Sequence, residues 1–384
     1  MQQSPSYAIA LENVEALRGA LEGLFSLTDT TLDFPEPGQV RFRGYFICDP
    51  VDCYDELRRR FERHGFTPLV RPARPGVMVI ALPTVFDPPA SNWVINLVLF
   101  LVTIGSTLYA GAVNEPGFTG TQIWLGWPFS LSMLLILGAH ELGHYFAARY
   151  HKVPVTLPYF IPFPTFIGTM GAFIRLKAPI KNRRALLDIG AAGPLAGMVF
   201  AVPILILGLL TSPVGPLPPG AYYQEGNSVL YLLAKVVTHG ECLPGHSPVC
   251  TGLATLSSGI ATAASRDISL NQMAWAGWVG LFVTGLNLIP VGQLDGGHVS
   301  YVLFGRRARR FFWPAIVVLA LLALLTGAAT WWLWILLLFI FGRAYAQPLD
   351  DVTRLDPRRR AVAIFSLVLF FLVFVPVPIQ IVVP

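Results

Sequence analysis

Apolar and polar positions divide this chain into two unlike parts near residue 90. In the first part the pattern is mixed and its runs are short. LENVEALRGALEGLF places apolar residues at helical spacing, and QVRFRGYFI alternates as a strand does. DPVDCYDELRRRFERHGF opens with Asp-Pro, a good helix start, and closes at Gly65. TPLVRP and GVMVIALP read as two strands joined by the turn Ala73-Arg74-Pro75-Gly76. The expectation is a small soluble α/β domain over residues 1–90, with FDPPASN as the linker into a second domain, residues 91–384.

Beyond residue 90 the apolar runs lengthen past the ~18 residues that mark a membrane span. The runs predict spans at Trp93–Val113, Ile123–Tyr150, Ala185–Thr211, Gln272–Ile289, Phe311–Thr326, Ala328–Gly342 and Ala361–Val375. Residues 311–343 are split at Gly327, because one helix of that length would reach about 50 Å. Residues 153–179 hold five prolines yet stay apolar, which excludes a helix interior and suits a strand or re-entrant hairpin ending in TMGAFIRLK. Residues 227–240 are too short to span and read as an interfacial helix. The fold class expected is a polytopic α-helical membrane protein of about seven spans, with a re-entrant β-like segment and the N-terminal α/β domain.

Composition agrees. The 384 residues are 54% hydrophobic and 13% charged, about half the charge of a soluble domain. The net charge of +5 is unevenly spread: residues 1–90 hold 9 basic and 12 acidic side chains, the remainder 18 and 10. The bases gather at the ends of apolar runs, which sets membrane orientation and argues against nucleic acid as a partner. Sixteen of them fall on one side, from Arg149 and Lys152 through Arg175–Arg184, Arg306–Arg310 and Arg343–Arg360, against Lys235 and Arg266 on the other. That side, with the N-terminal domain, is expected to be cytoplasmic, and the membrane a bacterial inner membrane. MQQSPSYAIALENVEALRG resembles neither a secretory signal nor a transit peptide. Of four cysteines, Cys48 and Cys53 match no CxxC pattern, while Cys242 and Cys250 bracket a Pro/Gly loop and would bridge if that loop lies outside.

Chemistry enters with LGAHELGHYF, residues 137–146. His140 and His144, four apart on a helix, face the same way and suit one Zn²⁺, with Glu141 placed to polarise a water. Burying three ionisable groups in a span costs several kcal/mol and demands a reason. A catalytic zinc needs a third protein ligand and an open fourth position. Asp295, the one carboxylate between Asp267 and Asp350, is a candidate, and His298 is its rival on spacing; Asn287 and Pro290 interrupt the helix just before them. Gly193-x-x-x-Gly197, with Gly190, offers a small-residue face for close helix packing. Asp188, four residues after Arg184, suggests an interfacial ion pair, and Trp331, Trp332 and Trp334 an outer aromatic belt.

HExxH combined with Asn287-x-x-Pro290-x-x-x-Leu294-Asp295-Gly296 resembles the paired motifs of the site-2 protease family of intramembrane zinc metalloproteases. LPYFIPFP (157–164), GTMGAFIR (168–175), GPLAG (193–197) and FVPVP (374–378) are similar to its bacterial and plastid branch, the ethylene-dependent gravitropism-deficient yellow-green type. The resemblance covers about residues 39–378 and implies zinc, one per chain, held by His140, His144 and Asp295. It implies Glu141 as general base and acid, and Asn287 as positioning substrate or stabilising the oxyanion. The implied substrates are single-pass or membrane-anchored proteins, cut near the cytoplasmic face. With His144 five residues before Arg149, the metal would lie roughly 7–12 Å below that surface. Two other classes remain in view: a catalytically silent membrane scaffold, which the intact motif disfavours, and a metal transporter, which the absence of further acids along other spans disfavours.

Overall fold

The computed structural model describes residues 8–382 apart from residues 35, 116, 218–219, 242 and 244–265. The Cys242–Cys250 pairing therefore lies outside the described residues, whereas Cys48 and Cys53 are paired.

The N-terminal unit is built from α1 (Leu11–Leu21), β1 (Phe25–Leu32), β2 (Val40–Phe46), α2 (Pro50–Glu62), β3 (Thr67–Pro72) and β4 (Val77–Leu82). Its antiparallel sheet has the order β1-β2-β4-β3. The periodicity of α1 puts Val14, Leu17 and Leu21 on one buried face, and Asp49 caps α2 by accepting from the Val51 amide at 3.0 Å. Strand β1 was missed in the sequence: FSLTDTTL carries too few apolar residues to alternate, and its pairing with β2 is what makes it a strand.

The core of this unit includes Leu349, from far along the chain. Residues 348–351 run beside β3 as a further rung: the Val70 amide donates to Leu349 O at 2.8 Å, and the Asp351 amide to Val70 O at 3.0 Å. Asp350 pairs in turn with Lys181, whose carbonyl accepts at 2.8 Å. Arg71, buried, donates to the carbonyls of Pro348 and Leu349, both at 2.9 Å. Burial holds the Arg71 guanidinium below its ordinary pKa, opposed by the Asp351 carboxylate. Nothing in the pattern of residues 343–356 announces this rung, because its partners are backbone groups brought there by the fold.

The second part comprises α3 (Trp93–Val113), α4 (Trp127–Tyr150), β5 (Tyr159–Pro162), β6 (Thr169–Phe173), α5 (Arg183–Leu210), β7 (Val214–Pro216), β8 (Tyr222–Glu225), α6 (Val229–His239), β9 (Arg266–Ile268), α7 (Gln272–Asn287), α8 (Asp295–Phe304), α9 (Phe312–Thr326), α10 (Ala329–Phe341), α11 (Pro357–Val373) and β10 (Ile379–Val382). Helices form where the apolar runs predicted them, but among the described residues four rather than about seven stretches are long and apolar enough to cross a membrane: Trp93–Val113, Ile123–Tyr150, Arg183–Leu210 and Asp295–Thr326. Helices α7, α10 and α11 have 16, 13 and 17 residues, about 20–26 Å at 1.5 Å per residue, short of a ~30 Å core. The break at Gly327 is real; its φ of +68° is the left-handed cap that glycine adopts without strain.

The proline-rich segment folds as expected into an antiparallel hairpin, β5 with β6. Asn96 on α3 donates to the carbonyls of Leu157 and Pro158 at 2.9 and 3.0 Å, satisfying backbone that no helix would satisfy. Helix α6 is not merely interfacial, since Tyr231, Leu232, Ala234 and Lys235 are buried. Trp331 is also buried, bonded to Pro376 O at 2.9 Å, so of the three tryptophans it is no part of an outer belt.

Candidate metal centre

Helices α4, α5 and α7 pack mutually, and α8 lies against α5. This arrangement brings the two halves of the sequence signature together. On α4, His140, Glu141 and His144 are all buried. Asp295 is the first residue of α8; the chain leaves α7 at Asn287, turns through residues 288–294 and restarts as a helix there. The spacing Asn287-x-x-Pro290 is thus the end of one helix and the entry to the next.

The donor atoms converge. His140 Nε2 lies 3.2 Å from Asp295 Oδ2, His144 Nε2 lies 3.3 Å from Asp295 Oδ1, and the two Nε2 atoms are 3.2 Å apart. Ligands at ~2.0–2.1 Å from one tetrahedral zinc would be separated by about 3.3 Å. Two imidazole nitrogens and a carboxylate therefore stand at the spacing that a single zinc ion requires, without rearrangement. This is the one such group of three metal-ligating side chains among the described residues.

Helix α5 shapes the site in two ways. The Ile189 carbonyl lies 2.7 Å from His144 Nδ1. A proton on Nδ1 donated to that carbonyl leaves the Nε2 lone pair facing Asp295, the usual way in which an outer partner fixes a ligating histidine. Gly193 and Gly197 supply the space: a Cβ at Gly193 would strike the His144 ring, and one at Gly197 would crowd His140 at 3.3 Å. The small-residue face expected for helix packing thus accommodates imidazoles as well as backbone.

Asn287 Nδ2 lies 3.5 Å from His140 Nε2, at the edge of the donor cluster. His298, the rival ligand, is outside that cluster. It packs on the Gly190 face of α5, and its buried Nδ1 has no hydrogen-bond partner among the described residues. Three residues after the helix start, it is not among the converging donors, so geometry favours Asp295. Strand β6 packs against α4, which sets the hairpin beside the site.

Asp188 does not pair with Arg184. Arg359 of α11 grips it with three contacts of 2.7–3.0 Å, and His151 Nε2 lies 2.8 Å from the same carboxylate. A bidentate guanidinium fork outcompetes the long, exposed reach along one helix. The Ile189 carbonyl and this cross-helix lock were not legible in the sequence; the first has no side-chain signal, and the second needs α11 beside α5.

A model of peptidase family M50 matches residues 128–327. The chain is 29% identical over 398 residues to the probable zinc metalloprotease EGY2, chloroplastic, of Arabidopsis thaliana, covering 98% of this chain and 67% of that one. It is 32% identical over 316 residues to the probable zinc metalloprotease EGY1, chloroplastic, of the same plant, covering 75% and 54%. No solved structure matches the chain. These relatives are chloroplastic plant proteins, which overturns the expectation of a bacterial inner membrane with a cytoplasmic N-terminal domain. The reason is physical: charge bias distinguishes the two sides of a bilayer and says nothing about which membrane it is.

Proposed function

The chain belongs to peptidase family M50 and is a zinc metalloprotease, and from that premise we propose that it cuts peptide bonds within or next to transmembrane helices of membrane-anchored proteins. The cut falls near the arginine-rich face of the membrane, and one zinc ion per chain serves it. The observation that carries this reading is the burial of His140, His144 and Glu141 inside a helix apolar enough to cross a bilayer, six residues or more from Tyr150 at its end.

His140, His144 and Asp295 would hold the metal, which would supply Lewis acidity for activating water and polarising the scissile carbonyl. Glu141 takes the proton of the attacking water on its carboxylate and delivers it to the amide nitrogen as the C–N bond breaks, leaving a carboxylic acid and an amine that then exchange a proton to become carboxylate and ammonium. Asn287 Nδ2 donates toward the carbonyl oxygen as charge develops there. Ile189, through His144 Nδ1, keeps that imidazole in the ligating tautomer. A helix hides its peptide bonds, so the substrate must be extended first; the edge of β6 not paired with β5, on a strand packed against α4, is where an unwound segment pairs.

Glu141→Gln tests the chemistry. In vesicles containing a single-pass substrate, cleavage should fall by about 10²–10⁴-fold with zinc content unchanged at one per chain. Undiminished cleavage would remove Glu141 from the reaction, and a stoichiometry other than one would overturn the metal assignment. Phe173→Pro tests the edge: cleavage should drop at least ~10-fold with zinc retained, because proline cannot donate to a ladder. Wild-type cleavage in that variant would sink the edge-strand reading alone.

A further inference from the structure

Where the N-terminal unit meets the arginine-rich face, a cleft of about 520 Å³ is lined by four arginines and one aspartate. The arginines come from three separate places: Arg74 from the β3–β4 turn, Arg183 from the start of α5, and Arg306 and Arg307 from the 3₁₀ turn Gly305–Phe311 that follows α8. The aspartate, Asp351, is already committed. Its Oδ1 accepts from Arg183 Nε at 2.8 Å and its Oδ2 from Tyr301 at 3.2 Å, and its side chain is 1% exposed. Arg74, Arg306 and Arg307 have no carboxylate within ion-pair distance among the described residues.

Orientation by charge bias asks only that arginines lie on one side of the membrane. It does not ask them to converge on one cavity, nor to be joined there by a residue of the N-terminal unit. Arginines crowded without counter-charge repel one another, and a planar guanidinium matches phosphate oxygens two at a time. The local backbone favours the cluster: Gly305, at φ +59°, turns the chain, and a Cβ there would sit 3.2 Å from Arg183 Nη2. Phe304 and Trp313, both well exposed, flank the arginine turn with apolar surface suited to lipid. Basic pockets of this kind at membrane helix ends are recognised sites for anionic headgroups.

We propose that this cleft binds a phosphate-bearing anion through Arg74, Arg306 and Arg307, supplied as the headgroup of an acidic membrane lipid or as free phosphate. The occupant would join the N-terminal unit to the membrane part, since it bridges residues of both.

The test is native mass spectrometry of the full chain in detergent, titrated separately with phosphatidylglycerol, with phosphatidylcholine of the same acyl chains, and with inorganic phosphate. Two charge-matched double variants are compared: Arg306→Gln/Arg307→Gln in the cleft, and Arg309→Gln/Arg310→Gln on the same turn but outside it. At about fivefold per arginine near an anionic surface, the cleft pair should weaken phosphatidylglycerol binding by roughly 30-fold, and the outer pair far less. Arg74→Gln, on an exposed turn, should weaken it by about fivefold and serves if the double variant fails to fold. Binding of inorganic phosphate that is lost in the cleft pair assigns the site to the free anion. Equal losses in the two pairs, or equal binding of phosphatidylcholine and phosphatidylglycerol, overturn the site.

Discussion

Two of the buried clusters of ionisable groups among the described residues differ in a way that marks the one suited to a metal. In the first, His140, His144 and Asp295 turn two nitrogens and two oxygens toward one another at 3.2–3.3 Å, with no Lys or Arg ion-paired among them. In the second, Lys235, wholly buried, stands between Glu225 at 3.5 Å and Asp267 at 3.6 Å. Tyr231 donates to Glu225 at 2.8 Å, Gln224 donates to Asp267 at 3.1 Å, and the ammonium also reaches Leu243 O at 3.1 Å. Burial raises the Glu225 carboxyl above its ordinary pKa, and the Lys235 charge works against that rise. The second cluster carries its own lysine cation; the first is a set of donors facing a common point, the arrangement that suits a bound metal ion.

The sharpest way to break this comparison is Asp295→Ala. Zinc content should fall from one per chain to below about 0.1, and cleavage should disappear with it, because two imidazoles alone do not make a structural or catalytic zinc site. If zinc stays, the third ligand lies elsewhere. Lys235→Met should have a smaller and different effect. It strands two carboxylates, costing about 3–5 kcal/mol of stability, yet leaves zinc content unchanged. Adding Glu225→Gln and Asp267→Asn should restore most of that loss in thermal unfolding. A Lys235→Met protein that keeps its stability but loses zinc would show that the two clusters are not independent.

The legibility of the two clusters also differed. HExxH is read within one turn-and-a-bit of a single helix, so local spacing suffices. Lys235, Glu225 and Asp267 belong to α6, β8 and β9, and no spacing links them; in the sequence Lys235 counts only as one of the two bases on the sparsely charged side. The same contrast holds for Asp188. Its expected partner, Arg184, was the neighbour in sequence, while its actual partners, His151 and Arg359, are neighbours in space.

The apolar runs located the helices of the membrane part apart from α8, and the proline run located the hairpin, because period and propensity are local properties. They did not fix how many of those helices are long enough to cross, which depends on where caps and turns fall. The sequence by itself put forward the candidates, since His140, His144, Glu141, Asn287 and Asp295 all carry recognisable spacing or motif context. Only the tertiary structure decided between Asp295 and His298, placed the Ile189 carbonyl behind His144, and threaded residues 348–351 between the N-terminal sheet and the start of α5. Those outcomes rest on backbone groups and close approaches, and such contacts exist only once the helices have packed.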